Sequence, residues 1–86
     1  MFTVLSRANG QDRARLGLAI SKKHCRRATG RNRLKRLVRE SFRRHAAELK
    51  GLDIVVLGQP GTSRADNKDI FSSLARHWQR TRTAGP

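Results

Sequence analysis

Apolar residues recur at three- and four-residue steps in two stretches of the chain, which is the spacing of one face of an α-helix. The first stretch predicts a helix from Arg31 to about Lys50, with Gly51 as its stop signal. The second predicts a helix that Asp66 or Asn67 caps. The apolar positions are Leu34, Leu37, Val38, Phe42 and Leu49 in the first helix, and Ile70, Phe71, Leu74, Ala75 and Trp78 in the second.

Three shorter segments have the composition of β-strands. Phe2–Ala8 begins with Phe-Thr-Val-Leu, and Arg15–Ser21 alternates leucine and isoleucine with smaller residues. The Asn-Gly turn signal at Asn9 predicts that these two segments form an antiparallel hairpin. Leu52–Leu57 is a continuous apolar run between two glycines, which predicts a buried central strand.

The predicted order of elements is β-β-α-β-α, which is typical of an α+β fold with helices packed on a sheet. We therefore predict a two-layer α/β sandwich that forms a single domain over residues 1–86, with residues 81–86 as a frayed tail. Two helices cover one sheet face. The other face is then either a binding surface or the contact surface of an element before Phe2.

Positive charge is concentrated on the first predicted helix and on the loop before it. The formal net charge is +14, and residues 22–44 contain eleven of the twenty Lys and Arg but only one acid, Glu40. A rigid cationic helix face suits a phosphate backbone, so nucleic acid is the leading partner class. At about 100° per residue, the side chains opposite the apolar stripe are Asn32, Lys35, Arg36, Arg39 and Arg43.

The segment Arg31-Asn32-Arg33 opens this helix. Unpaired N–H groups and the positive end of a helix favour a phosphate there, and guanidinium groups add bidentate contacts. We expect Arg33 and Arg36 to point to solvent, so that replacing either would weaken nucleic-acid binding without unfolding the protein. The alternative is a solvated basic helix without a specific ligand.

Other kinds of chemistry have little support in the sequence. The six acids are scattered, which argues against a protein-only metal nuclease, and we predict no catalytic residue and no metal ligand. The single cysteine, Cys25, cannot form an internal disulfide or a zinc site, which fits a reducing cytoplasm. No apolar run approaches the roughly 18 residues of a membrane-spanning helix, so we expect no membrane partner.

The sequence SKK at 21–23, followed after seven residues by RNRLKRLVRESFR at 31–43, closely resembles the signature of the bacterial ribonuclease P protein subunit. Similarity continues through RLGL at 15–18, LDIVVL at 52–57 and the final helix with Leu74 and Trp78. The resemblance spans roughly residues 2–80, and the 21–43 block is highly specific.

This resemblance implies a protein that joins a large catalytic RNA in the cytoplasm, with no stable protein partner. The holoenzyme is an endoribonuclease that removes the 5′ leader from precursor tRNA, and the RNA carries the chemistry with bound Mg²⁺. The protein would bind that RNA, help hold metal ions and contact the leader in a cleft on the sheet. The family also implies a left-handed crossover that places the Arg-Asn-Arg helix.

Family members usually begin with a further N-terminal segment that carries a helix and aromatic residues. Here Met1 falls almost directly on the first strand. We interpret the chain as lacking that helix, which would account for the uncovered sheet face.

The resemblance assigns the RNA contacts to residues of the matching block. They are Arg31, Asn32, Arg33, Lys35, Arg36, Arg39 and Arg43, followed by Lys22, Lys23, Arg26 and Arg27. The main alternative is a small structural RNA-binding protein of ribosomal type, which shares the size and charge. A DNA-binding helix and a protein-only nuclease are weaker alternatives, because no helix-turn-helix pattern and no carboxylate cluster support them.

Overall fold

The computed structural model describes residues 2–23 and 25–84, and for residues 83 and 84 it describes the backbone alone. The predicted order β-β-α-β-α and the α+β class are confirmed. A short 3₁₀ turn follows the first helix and another precedes the second. The elements are β1 Phe2–Ala8, β2 Arg15–Ala19, α1 Ala28–His45, the turn Ala46–Leu49, β3 Leu52–Gly58, the turn Thr62–Arg64, and α2 Asn67–Ala84.

The sheet has the strand order β1-β3-β2, so the predicted hairpin between β1 and β2 is wrong. β3 lies between them, antiparallel to β1 and parallel to β2. The expected turn does form: Gly10 has φ of 67° and the Gln11 N–H donates to Asn9 Oδ1 at 2.8 Å. The loop then passes around the start of β3, where the Asn9 N–H donates to the carbonyl of Gly51 and the Gly51 N–H donates to that of Arg13.

The central place of β3 follows from its composition. Its apolar run offers a buried side chain at every second position, and Leu52, Ile54 and Val56 are all buried against the helices. A strand of this kind is most stable with a neighbour on each side, whereas the shorter β2 serves as an edge. β2 and β3 are joined through α1, and the left-handed sense of that crossover stays a prediction.

The core lies between the inner sheet face and the two helices. Leu34, Leu37 and Val38 of α1 pack there, as does the α2 stripe of Ile70, Leu74 and Trp78. The Trp78 indole N–H donates to Ser41 Oγ at 2.8 Å, so its polar atom is satisfied inside the core. The predicted apolar stripes are thus confirmed, except that Phe42 and Phe71 are partly buried and Ala75 is exposed.

The helix boundaries differ from the predicted ones at three ends. α1 begins at Ala28 rather than Arg31 and ends at His45, after which a 3₁₀ turn leads to Gly51 with φ of 83°. α2 continues to Ala84, so residues 81–84 belong to the helix, and the predicted fraying of the tail stays a prediction. Residues 85–86 lie outside the described residues. Asp66 is the cap of α2, since its Oδ1 accepts the Asp69 N–H at 2.9 Å.

The outer face of the sheet is uncovered by the described residues, as expected from the element count. Leu5 is 55% exposed and Val55 is 39% exposed, although both are large apolar residues on neighbouring strands. They lie directly opposite each other in the β1–β3 pair. An apolar centre is therefore available to a ligand on this face.

Candidate nucleic-acid interface

The cationic face of α1 is the outer side of a helix whose inner side is fixed in the core. Leu34 and Leu37 on the inner side are 1% and 2% exposed. The prediction that a polar, cationic face lies opposite them is confirmed for Asn32, Arg36, Arg39 and Arg43, which are all exposed, whereas Lys35 is half-buried. Because the helix cannot rotate without exposing its leucines, these cations keep a fixed spacing along its axis.

The N-terminal end of α1 adds to this cationic surface. The first turn has no acidic residue, and the N-cap residue Arg27 makes no side-chain capping bond. The positive end of the helix is therefore not neutralised from within. Lys22, Lys23, Arg26 and Arg27 are all exposed in the loop that leads to it, and His24 of this loop lies outside the described residues.

Arg31 holds this loop against the start of α1. Its Nη1 donates to the carbonyls of Cys25 and Arg26, both at 2.9 Å. Cys25 is buried, and a Cβ on Gly30 would lie 2.8 Å from its Sγ, so the loop packs closely only because residue 30 is glycine. Cys25 therefore acts as a packing residue, and half-buried Arg31 has structural contacts that its place in the sequence did not indicate.

Arg33 departs from its prediction, because its guanidinium does not point to solvent. It crosses to the segment before α2, where it donates to Asn67 Oδ1 and to the carbonyls of Ser63 and Ala65. The helical spacing places Arg33 beside Leu37 at the edge of the buried stripe, and its partners are thirty or more positions later in the sequence. The prediction that Arg33 points to solvent is therefore wrong, whereas the effect of Arg33→Ala on folding stays a prediction.

A second charged surface lies on the outer sheet face and was missed by sequence reasoning. Arg7 of β1 and Arg15 of β2 are each opposite Asp53 of β3 in the strand register. Their Nε atoms lie 3.8 and 3.5 Å from the Asp53 carboxylate, which also accepts a hydrogen bond from Asn9 Nδ2 at 3.1 Å. We call Arg7, Asp53 and Arg15 the charged row.

The charged row borders a shallow groove of about 420 Å³ whose lining includes Leu5 and Val55. A groove with an apolar centre and guanidiniums at one end can receive a flat apolar group together with an anion. The only signal in the sequence was the alternation of side chains along each strand. That signal is insufficient, because the row forms only once β3 lies between β1 and β2.

The acids and histidines of the described residues are dispersed. They include no group of three or more His, Cys, Asp or Glu side chains arranged to hold a metal ion. His77 of α2 is half-buried, and this burial lowers its pKa below the ordinary value. The nearby charges of Arg80 and Arg76 lower the pKa further, whereas a hydrogen bond to the Phe2 backbone acts in the opposite direction. No helix among the described residues is both long and apolar enough to cross a membrane.

Comparison with known protein families settles the relationship of this chain. The family model described as Ribonuclease P matches residues 1–82. The chain belongs to the ribonuclease P protein family. It is 54% identical over 82 residues to the ribonuclease P protein component of Thioalkalivibrio sulfidiphilus, and 52% identical over 77 residues to that of Nitrosococcus oceani. These matches cover 95% and 90% of this chain but 68% and 65% of the two relatives.

The fold of the family agrees with the one described above. The ribonuclease P protein of Thermotoga maritima, solved in complex with 1-(4-fluorophenyl)-2-thiourea, has a TM-score of 0.84 and 42% identity. That similarity covers 92% of this chain and 78% of the Thermotoga chain. The family resemblance is therefore confirmed, and the ribosomal alternative is not favoured.

Proposed function

We propose that this protein is the RNA-binding subunit of ribonuclease P and assists a catalytic RNA in removing the 5′ leader from precursor tRNA. The observation that supports this most directly is the cationic face of α1, which is exposed at Asn32, Arg36, Arg39 and Arg43 and is fixed in place by the buried face behind it. Family membership supplies the RNA partner, since the relatives are protein components of ribonuclease P. The protein would act in the cytoplasm.

The contacts to the catalytic RNA are proposed for two groups of residues. On α1 they are Asn32, Lys35, Arg36, Arg39 and Arg43, and in the preceding loop Lys22, Lys23, Arg26 and Arg27. Arginine forks make paired hydrogen bonds to phosphate oxygens, and the open N-terminus of α1 favours the same groups. Arg31 and Arg33, also expected as RNA contacts, add positive charge to this surface while their guanidiniums are bonded to protein carbonyls and an amide.

The single-stranded 5′ leader is proposed to lie in the groove on the outer sheet face. Leu5 and Val55 offer an apolar surface to an unstacked base, and Arg7 and Arg15 are placed for a neighbouring phosphate. Unstacked bases and phosphates are the two features that single-stranded RNA presents. Binding RNA on α1 and the leader on the sheet would let one small domain contact both enzyme and substrate.

The chemistry of leader removal is assigned to the RNA and to Mg²⁺ held mainly by that RNA. Mg²⁺ takes oxygen ligands and is often bound by one or two carboxylates together with phosphates. The described residues offer no carboxylate cluster for a cage of protein ligands. What the protein contributes is positive charge beside phosphates that bind Mg²⁺, together with the placement of the substrate strand.

The decisive experiment is cleavage of precursor tRNA by a bacterial ribonuclease P RNA at low Mg²⁺, with and without this protein. Strong stimulation is expected, because the added cations replace part of the Mg²⁺ needed to bring two RNAs together. Arg36→Ala should reduce the stimulation. Arg13→Ala removes an exposed cation from the β1–β2 loop instead and serves as the control for net charge.

The outcomes separate the parts of the proposal. Selective binding to the catalytic RNA without stimulation would contradict the assignment of the leader to the sheet groove. Neither stimulation nor selective binding would contradict the subunit function as a whole and leave a general basic RNA binder.

A further inference from the structure

The guanidinium of Arg33 has both of its hydrogen-bonding edges occupied by protein atoms. The edge formed by Nε and Nη2 faces Asn67 Oδ1, at 3.1 and 2.7 Å. On the edge formed by Nη1 and Nη2, Nη2 donates to the Ala65 carbonyl at 2.8 Å and Nη1 to the Ser63 carbonyl at 3.4 Å. A bidentate phosphate contact needs one such edge free. Arg33 therefore cannot take a phosphate in that way without first leaving these partners.

The partners are arranged so that they are available to Arg33. Asp66 caps α2 with its own carboxylate, which leaves the Asn67 side chain free of that role. The 3₁₀ turn Thr62–Arg64 ends just before Ala65, and the Ser63 carbonyl within it and the Ala65 carbonyl just after it both accept hydrogen bonds from Arg33. One side chain of α1 is thereby bonded to the turn, to Ala65 and to the first residue of α2.

The contact also bears on where the exposed cations of α1 lie. α1 and α2 pack against each other through Trp78, Ser41 and Phe42 near the C-terminal end of α1. Arg33 supplies a polar connection near the N-terminal end of the same helix, between residues 34 positions apart in the sequence. With one contact at each end, the angle of α1 on the sheet is fixed, and so is the direction in which Arg36 and Arg39 face.

We infer that Arg33 is a positioning residue, which holds the cationic helix against the start of α2 through Asn67 and the Ala65 carbonyl, and does not contact RNA phosphates. This inference concerns the site described under the proposed function and rests on it for its RNA readout. The contribution of the Arg33–Asn67 contact to stability can be measured without RNA. Arg33 and Arg36 stand one turn apart on α1 and would thus have different roles: Arg33 positions the helix, and Arg36 contacts the RNA.

The structural half is tested by thermal unfolding of Arg33→Lys, Arg33→Ala, Asn67→Ala and the Arg33→Lys/Asn67→Ala pair. Lysine keeps the charge but has no planar fork, so it cannot reproduce the paired contacts. Arg33→Lys and Asn67→Ala should each lower Tm by roughly 4–8 °C, and the pair should lower it by less than their sum. Arg36→Lys should leave Tm unchanged.

The RNA half is tested by measuring affinity for a transcribed ribonuclease P RNA over a series of salt concentrations. Arg36→Ala should lower the slope of log affinity against log salt by about 1, because a phosphate contact is lost. Asn67→Ala, which removes no cation, and Arg33→Lys, which keeps one, should both weaken binding several-fold with the slope unchanged. Arg13→Lys, an exposed position of the β1–β2 loop outside the proposed interface, should bind like the wild type.

The opposite pattern would overturn the inference. If Asn67→Ala bound RNA like the wild type while Arg33→Ala lowered the salt slope by about 1, Arg33 would be a phosphate contact. Additive Tm changes for Arg33→Lys and Asn67→Ala would contradict the coupling even if Arg33→Ala failed to fold. Should the wild-type protein itself show no selective RNA binding, the proposed function fails, and the unfolding data alone decide the role of Arg33.

Discussion

The two cationic surfaces of this protein are built in different ways. On α1 the exposed Arg36, Arg39 and Arg43 form no ion pair among the described residues, and the apolar face of the helix behind them is buried in the core. On the sheet, Arg7 and Arg15 share one carboxylate, Asp53, beside an apolar groove. Unneutralised charge attracts any polyanion over a distance, whereas a paired charge acts only on a ligand that fits close to it. The cationic face of α1 is therefore suited to strong binding of any RNA, and the sheet surface to discrimination among RNA segments by their fit.

The largest effect is expected from removing the backing of α1. Leu37→Ala should reduce the free energy of unfolding by about 2–5 kcal/mol, because a fully buried leucine leaves a cavity between helix and sheet. Chemical denaturation monitored by far-UV circular dichroism measures this change. If Leu37→Ala changed the free energy of unfolding as little as the exposed substitution Arg36→Ala, the buried side of α1 would not be what fixes its cationic face in place.

A triple replacement of Arg36, Arg39 and Arg43 by alanine tests the affinity assigned to α1. The slope of log affinity against log salt should fall by roughly two to three, since up to three phosphate contacts are lost. Filter binding to a ribonuclease P RNA between low and moderate salt gives the slope. The matched sheet variant, Arg7→Ala/Arg15→Ala, should change this slope less. Equal changes in slope for the two variants would contradict the distinction between the two surfaces.

Asp53→Asn sharpens the comparison from the side of the sheet. The Asn9 contact can persist, but both guanidiniums lose their counterion, so binding of a short single-stranded RNA should strengthen. Stability should fall by less than about 1 kcal/mol, because Arg7 and Arg15 are largely exposed. Fluorescence anisotropy with a labelled oligonucleotide measures the first effect. Weaker binding would show that Asp53 orients the arginines for the RNA.

The smallest effect is a pH dependence that comes from His77. Burial, with Arg80 and Arg76 nearby, lowers its pKa in the folded protein. The unfolded chain then binds a proton at a higher pH than the folded one, so stability is complete above the ordinary pKa of about 6.5 and declines as pH falls below it. Thermal unfolding at a series of pH values measures the decline, and His77→Gln should flatten this part of the curve. If the pH dependence of Tm were the same in His77→Gln as in the wild type, the decline would come from other titratable groups.

The sequence was most informative where a feature is encoded by neighbouring residues. The spacing of Leu34, Leu37 and Val38 sufficed to place the buried face of α1, and therefore the exposure of Arg36 and Arg39 on the other side. The same local spacing could not show that Arg33 meets Asn67, because that contact depends on how two helices pack. A helical position at the edge of a stripe is compatible with either solvent or a partner helix.

Strand order was the other feature that local signals could not determine. Asn9 and Gly10 encode a turn, and a turn between two strands is usually a hairpin. The apolar run of β3 competes for the place beside β1, and the outcome depends on burial over the whole sheet. The charged row of Arg7, Asp53 and Arg15 was missed for the same reason, since it exists only in the observed order.

The insertion of β3 between β1 and β2 also sets the order in which the protein can be completed during synthesis. Phe2 pairs with Gly58, and Ala8 with Leu52, so β1 has no strand partner among the described residues until the chain has been made to the end of β3. Because the chain is synthesised from its N-terminus, β1 stays unpaired while β2 and α1 are being made. β2 also pairs only with β3, but the β1–β3 pairs join residues farther apart in the sequence, which predicts that β1 joins the sheet after β2.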